Sequence, residues 1–148
     1  ALKLPYVGVA NTIDLGDAEN IHPKDKLPIG QRLALLAQRD AHNRNTLAQG
    51  PSLSNVKIRD NKLVIHFEHA RGLQTTDGLT PTAFWLADES KQWHRADARI
   101  VNETVELTAP GLTTPRYVRY AFAGKPKVNL INVVGLPAYP FRTDRFDP

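Results

Sequence analysis

The 148-residue sequence contains no cysteine and no methionine. Without cysteine there is no disulfide, no thiolate metal ligand and no catalytic thiol. Methionine is missing even at position 1, and Ala1 is followed by no signal-peptide pattern. No apolar run approaches the roughly 20 residues of a membrane-spanning helix, so no membrane partner is expected. A Gly-x-Ser-x-Gly elbow, a glycine-rich phosphate loop and a His-Glu-x-x-His motif are absent too. Serine is scarce. Ser52, Ser54 and Ser90 stand at strand starts or turns, with no motif that would make any of them a nucleophile. Nor is there a block of five or six like charges.

What is present is an ordinary folded composition, 41% hydrophobic and 23% charged. Nineteen Lys and Arg against fifteen Asp and Glu leave a net charge of +4. The cations are spread along the chain beside acids, as in Lys24-Asp25-Lys26, Arg39-Asp40 and Arg95-Ala96-Asp97. Nucleic-acid binding calls for cations gathered on one face, so no nucleic-acid partner is expected.

Residues 6–15, YVGVANTIDL, form an apolar, β-branched run that predicts a strand buried on both faces, as in a parallel α/β sheet. A polar loop follows, then a helix entered at Pro23, with Asp25 near its positive end. Ile29, Leu33, Leu36 and Ala37 recur at helical spacing, and the helix is expected to fade near Ala41. From Ser52 the period becomes two. Val56 and Ile58 alternate with charged residues, and Leu63, Ile65 and Phe67 share one face of the next strand. Arg59-Asp60-Asn61-Lys62 reads as the hairpin turn between them. Further strands are expected at 83–87, 92–100, 103–108 and 116–122, the pattern of a small sandwich or barrel. The proline-rich stretch 129–148 predicts an apolar tail packed on a surface without regular structure.

A lone parallel strand with one helix cannot satisfy its own hydrogen-bonding edges. The first unit is therefore expected to complete a larger domain, with the missing Met reflecting a cut or an upstream chain. His22 lies in the loop after that strand, near Asp14, Asp17 and Glu19. Ligands bind at this end of open α/β sheets. A helix N-terminus favours neutral imidazole, the resting form of a general base, and a carboxylate would orient the ring. The other reading is an exposed loop histidine whose acidic neighbours merely cap the helix. His66 and His69 fall on opposite faces of a strand, which argues against a metal pair.

Several segments resemble one family. LPYVGVANTIDLGDAENIHPKDKLPIGQRLAL (4–35) is similar to the final block of the sialate O-acetylesterases, within the SGNH (GDSL-like) hydrolases. There a strand ends in Asp-Leu-Gly-Asp, and Ile-His-Pro carries the catalytic histidine. Residues 72–87 resemble the family's β domain and residues 118–144 its C-terminal signature. The fold so implied is α/β plus β. The C-terminal strand–loop–helix of an SGNH-type α/β/α esterase domain (1–44) precedes a small β-sandwich-like domain (51–123). An irregular tail (124–148) then packs on the esterase domain.

The resemblance implies a serine esterase that removes O-acetyl groups from sialic acid or related carbohydrates, without cofactor or metal. His22 is the implied catalytic base. Glu19, three residues before it where the family commonly has Asp, is the implied orienting carboxylate, with Asp17, Asp14 or a backbone carbonyl as alternatives. The nucleophilic Ser is expected in an N-terminal part of the same esterase. That part is the expected partner, and this chain alone is expected to be inactive. A periplasmic or secreted location is likewise implied. Arg142, Thr143 and Asp144 close the signature and are expected to anchor the tail, while Trp85 and Trp93 are expected in the core. The alternative from another class is a stand-alone β-sandwich carbohydrate-binding or interaction module without catalysis.

Overall fold

The alternation read from Ser52 onward becomes two antiparallel sheets. In the computed structural model, which describes residues 4–146, helix α1 (Leu27–Asp40) precedes the strands. Strands β1 (Ser52–Arg59) and β2 (Lys62–Glu68) form the expected hairpin, with Arg59 opposite Lys62. Its turn places Asp60 at φ 52°, a left-handed conformation that Asp tolerates better than bulkier residues. Strands β3 (Gln74–Thr75), β4 (Phe84–Ala87), β5 (His94–Arg95), β6 (Asp97–Val101), β7 (Thr104–Thr108) and β8 (Tyr117–Tyr120) follow. β9 (Leu130–Ile131) and β10 (Phe141–Arg142) complete the set. One sheet runs β1-β2-β7-β6, a second β10-β8-β4-β5, and β3 pairs with β9.

Residues 92–100, expected as a single strand, are shared between the sheets. β5 belongs to the second sheet and β6 to the first, and only Ala96 separates them. The Ala96 N–H donates to the Phe84 carbonyl at 3.0 Å, holding the crossing point against β4. The tail also departs from expectation. β9 and β10 form between its prolines, because Pro blocks a ladder only where its own N–H is required.

The two sheets share one core. Leu63, Ile65, Val105 and Leu107 of the first sheet and Phe84, Leu86, Val118 and Tyr120 of the second are buried in a single cluster. The Phe84 and Tyr120 rings are tilted against each other with centroids 4.5 Å apart, and Phe141 stacks on Tyr120 at 5.6 Å. Trp85, expected inside, is 44% exposed, because the alternation that buries Phe84 and Leu86 turns it outward.

The α/β expectation is overturned. Residues 6–15 form no strand, and every strand pairing among the described residues is antiparallel. The described chain is a small β domain with one helix, not the end of an SGNH-type α/β/α layer followed by an extra domain. β-branched composition makes a strand only where an edge takes up the backbone N–H and C=O groups. Here the segment is held by side chains instead. Asn11 Nδ2 donates to the carbonyls of Pro137 and Ala138, and the Tyr139 hydroxyl donates to the Val9 carbonyl at 2.7 Å.

α1 begins four residues later than expected, at Leu27, with Pro28 in its first turn. It buries Arg32 and Leu36, whereas Leu33 is 52% exposed. Leu36 packs so near Gly8 that a Cβ there would lie 2.9 Å from its Cδ2.

Candidate active-site loop

The loop that carries His22 is fixed at its base and open at its tip. At the base, Arg32 reaches back from α1. Its Nη1 donates to the Asn11 carbonyl (2.6 Å) and to Asp14 Oδ1 (2.7 Å), and its Nη2 to Asp14 Oδ2 (2.6 Å). Arg32 is only 8% exposed, so this forked, charge-assisted pair is the main polar clasp between helix and loop. A turn from Thr12 to Leu15, closed by a 3.0 Å backbone bond, brings the Asp14 carboxylate into place.

Beyond Gly16 the loop supports itself through Asx turns. The Asp17 side chain accepts the Glu19 N–H at 3.0 Å, and Asn20 Oδ1 accepts the His22 N–H at 2.9 Å. Short polar side chains thus replace a backbone ladder. Ile21, Glu19 and His22 are all exposed, Ile21 at 89%. After Pro23, Lys26 Nζ donates to the Pro23 carbonyl and the Leu27 N–H to Asp25 Oδ1, which leads the chain into α1. His22 therefore precedes the helix by a full turn and lies outside the reach of its first N–H groups.

The structure gathers the sequence-derived candidates into one loop without joining them. Asp14 is engaged on both oxygens by Arg32, so it is spoken for as a partner of His22. Asp17 is occupied in its own turn. The Glu19 side chain makes no hydrogen bond or ion pair among the described residues. The His22 ring makes no hydrogen bond with a described residue, and no serine does so with a histidine among the described residues. A cleft of about 600 Å³ opens between Thr12–Ala18 and the Ala123–Pro126 turn, with Asp17 and Lys125 on its two walls. Chemically, the loop offers an exposed imidazole and, three residues before it in the sequence, an exposed carboxylate on a braced base. It offers no nucleophile of its own.

The sequence reading missed the brace. Arg32 sits on the helix face read as apolar, and only its spacing from Leu36 and Ile29 hinted that it points inward. It also missed Arg119. This side chain donates Nε to Asp144 Oδ2 (2.9 Å) and Nη2 to Asp144 Oδ1 (2.8 Å), and the Asp144 side chain is fully buried. The guanidinium holds the Asp144 carboxyl below the usual carboxylate range, against the opposing effect of burial. The Thr143 hydroxyl accepts the Val118 N–H at 3.0 Å. The described contacts of Thr143 and Asp144 thus tie the tail to β8.

No protein-family model matches the chain, and no curated protein sequence matches it. Among solved structures, it is similar to a novel carbohydrate acetylesterase from Xanthomonas citri, with 32% sequence identity and a TM-score of 0.86. The likeness covers 90% of this chain and 31% of that one, so the chain spans about a third of its neighbour's length. In sequence and in fold, the chain is similar to a segment of a carbohydrate acetylesterase.

Proposed function

We propose that this chain is the C-terminal part of a carbohydrate O-acetylesterase acting on sialic acid or a related acetylated sugar. The observation that carries the reading is the likeness over 90% of the chain, at 32% identity, to a carbohydrate acetylesterase. The loop geometry is compatible with it. In this reading a serine on the N-terminal part of the esterase attacks the acetyl carbonyl. His22 takes its proton and returns it to the departing sugar alkoxide. Water then releases acetate from the acyl-enzyme by the same base. Glu19, three residues before His22 in the sequence, orients the imidazole and stabilises its charged form. Arg32 and Asp14 hold the loop base so that His22 meets the serine at a fixed height. A periplasmic or secreted location belongs to the same reading.

Acetate release from O-acetylated sialic acid, with acetylated xylan for comparison, tests the proposal. The chain alone is expected to be inactive, and the chain joined to a serine-bearing partner active. In the joined assembly, His22→Ala is expected to lower kcat about 10⁴-fold. Retained turnover removes His22 from the mechanism. Glu19→Gln should lower kcat less, and an unchanged rate points to a Ser–His dyad. A fluorophosphonate probe should label the partner, and labelling of Ser52, Ser54 or Ser90 overturns the reading.

A further inference from the structure

Across the outer face of the second sheet runs a row of side chains that the core does not use. Strand register sets Arg142 opposite Arg119, Arg119 opposite Trp85, and Trp85 opposite Arg95. Directly paired residues on neighbouring strands point to one face. Phe84, Leu86, Val118 and Tyr120 point into the core, so this row points out. Trp85 is 44% exposed. Beside it the Arg119 guanidinium lies 4.1 Å from the Trp93 ring centroid and 5.1 Å from that of Phe122.

The charges of the row do not cancel. Arg119 is matched by Asp144, and Arg142 reaches the same carboxylate only at 3.8 Å while donating to the Asp144 and Phe146 carbonyls. Arg95 is exposed and belongs to none of the ion pairs among the described residues. Arg119 and Arg142 therefore share one carboxylate, and Arg95 has none among the described residues. Arg119 is fixed by its rings and its acid, so it stiffens the platform, and Arg95 and Arg142 carry the surplus charge.

We propose that this face binds carboxylated glycans. The apolar C–H face of a pyranose ring stacks on Trp85, and its carboxylate meets the Arg95 fork, with Arg142 placed for the next acidic residue along the chain. A guanidinium pairs with a carboxylate in two parallel bonds, a match of shape as well as charge. A single exposed indole between arginines suits a ring with an apolar face and a polar rim. Single-stranded nucleic acid fits less well. It favours successive stacking rings along a continuous basic track, whereas this row sets one aromatic side chain, Trp85, among its arginines. None of these residues takes part in the esterase reading, so the proposal stands or falls separately.

The test is titration of the protein with short oligomers of sialic acid, of galacturonic acid and of glucose at low salt, followed by tryptophan fluorescence and calorimetry. Both acidic oligomers are expected to bind and the neutral one is not. Trp85→Ala and Arg95→Gln should each weaken binding about tenfold or more, equivalent to about 1.4 kcal/mol. Arg95 lies on a two-residue edge strand, so its variant keeps the test readable if Trp85→Ala fails to fold. Equal binding of the glucose oligomer overturns the proposal. So does acidic binding that neither variant weakens, or tighter binding of an oligothymidylate through the same residues.

Discussion

The strands of residues 51–146 bury most of their core-facing apolar side chains, whereas residues 4–27 display most of theirs. In the sandwich, Leu63, Ile65, Leu86, Val105, Leu107, Val118 and Tyr120 are all 0% exposed. In the N-terminal segment Leu4, Tyr6, Val9, Ile21 and Leu27 stand between 41% and 89% exposed. Composition does not separate the two regions, since both are rich in Val, Ile, Leu and Tyr. Hydrogen-bonding edges do. Each sandwich strand lies beside another that takes up its backbone groups, and burial follows from that pairing. The N-terminal segment is held by a few directional polar contacts: Arg32 to Asp14, Asn11 to the 137–138 backbone, and Tyr139 to Val9. One region is stabilised by area removed from water and the other by geometry.

That contrast can be broken at several points. The largest effect is expected from Phe84→Ala, which removes a 1%-exposed ring between Tyr120 and Phe141. It should cost about 3–5 kcal/mol in urea unfolding. A loss below about 1 kcal/mol would mean that the two sheets do not share a core. Next comes Asp144→Ala, which strands Arg119 and should cost about 3 kcal/mol by the same measurement.

The Asp144 pair also sets an acid limb. Its folded carboxyl titrates below the ordinary value of about 3.9 that it regains on unfolding, because Arg119 stabilises the ionised form. The contribution is therefore complete above that ordinary value and is lost as pH falls through the lower, folded one. Stability followed from pH 6 down to pH 2 should fall less steeply in Asp144→Asn than in the parent, and identical slopes would remove Asp144 from the acid response.

A smaller and more local effect is expected from Arg32→Ala. It releases the loop base, so limited proteolysis should cut within residues 11–25 faster, while the sandwich unfolds within about 1 kcal/mol of the parent. Equal loss in both regions would show that they form a single cooperative unit. The smallest effect is expected from Ile21→Gln at the exposed tip, within about 0.5 kcal/mol in thermal unfolding.

Much of the sandwich was legible because its signals are local. Val56 and Ile58 in β1 and Leu63 and Ile65 in β2 follow the period of two, and Asp60-Asn61 marks the turn between them. The passage of 92–100 from one sheet to the other was not legible, since alternation runs on through Ala96 and period alone does not say which sheet a strand joins. YVGVANTIDL read as a strand because propensity carries no information about whether an edge is at hand. In the loop, the grouping of Asp14, Asp17, Glu19 and His22 was visible from sequence proximity. The capture of Asp14 was not, because Arg32 lies 18 residues away. Arg119 and Asp144 are separated by 25 residues and gave no local sign of each other. Trp85 was misread although its alternation with Phe84 and Leu86 already placed it outside.

Ala96 has a mechanical consequence. β5 and β6 are one continuous piece of chain shared between two sheets, so a register slip in either strand must pull on the other. The sheets are thereby geared together. Neither can slide along its neighbour without dragging the opposite layer, and the platform formed by Trp85 and Arg95 keeps its spacing as long as the β6–β7 ladder keeps its own.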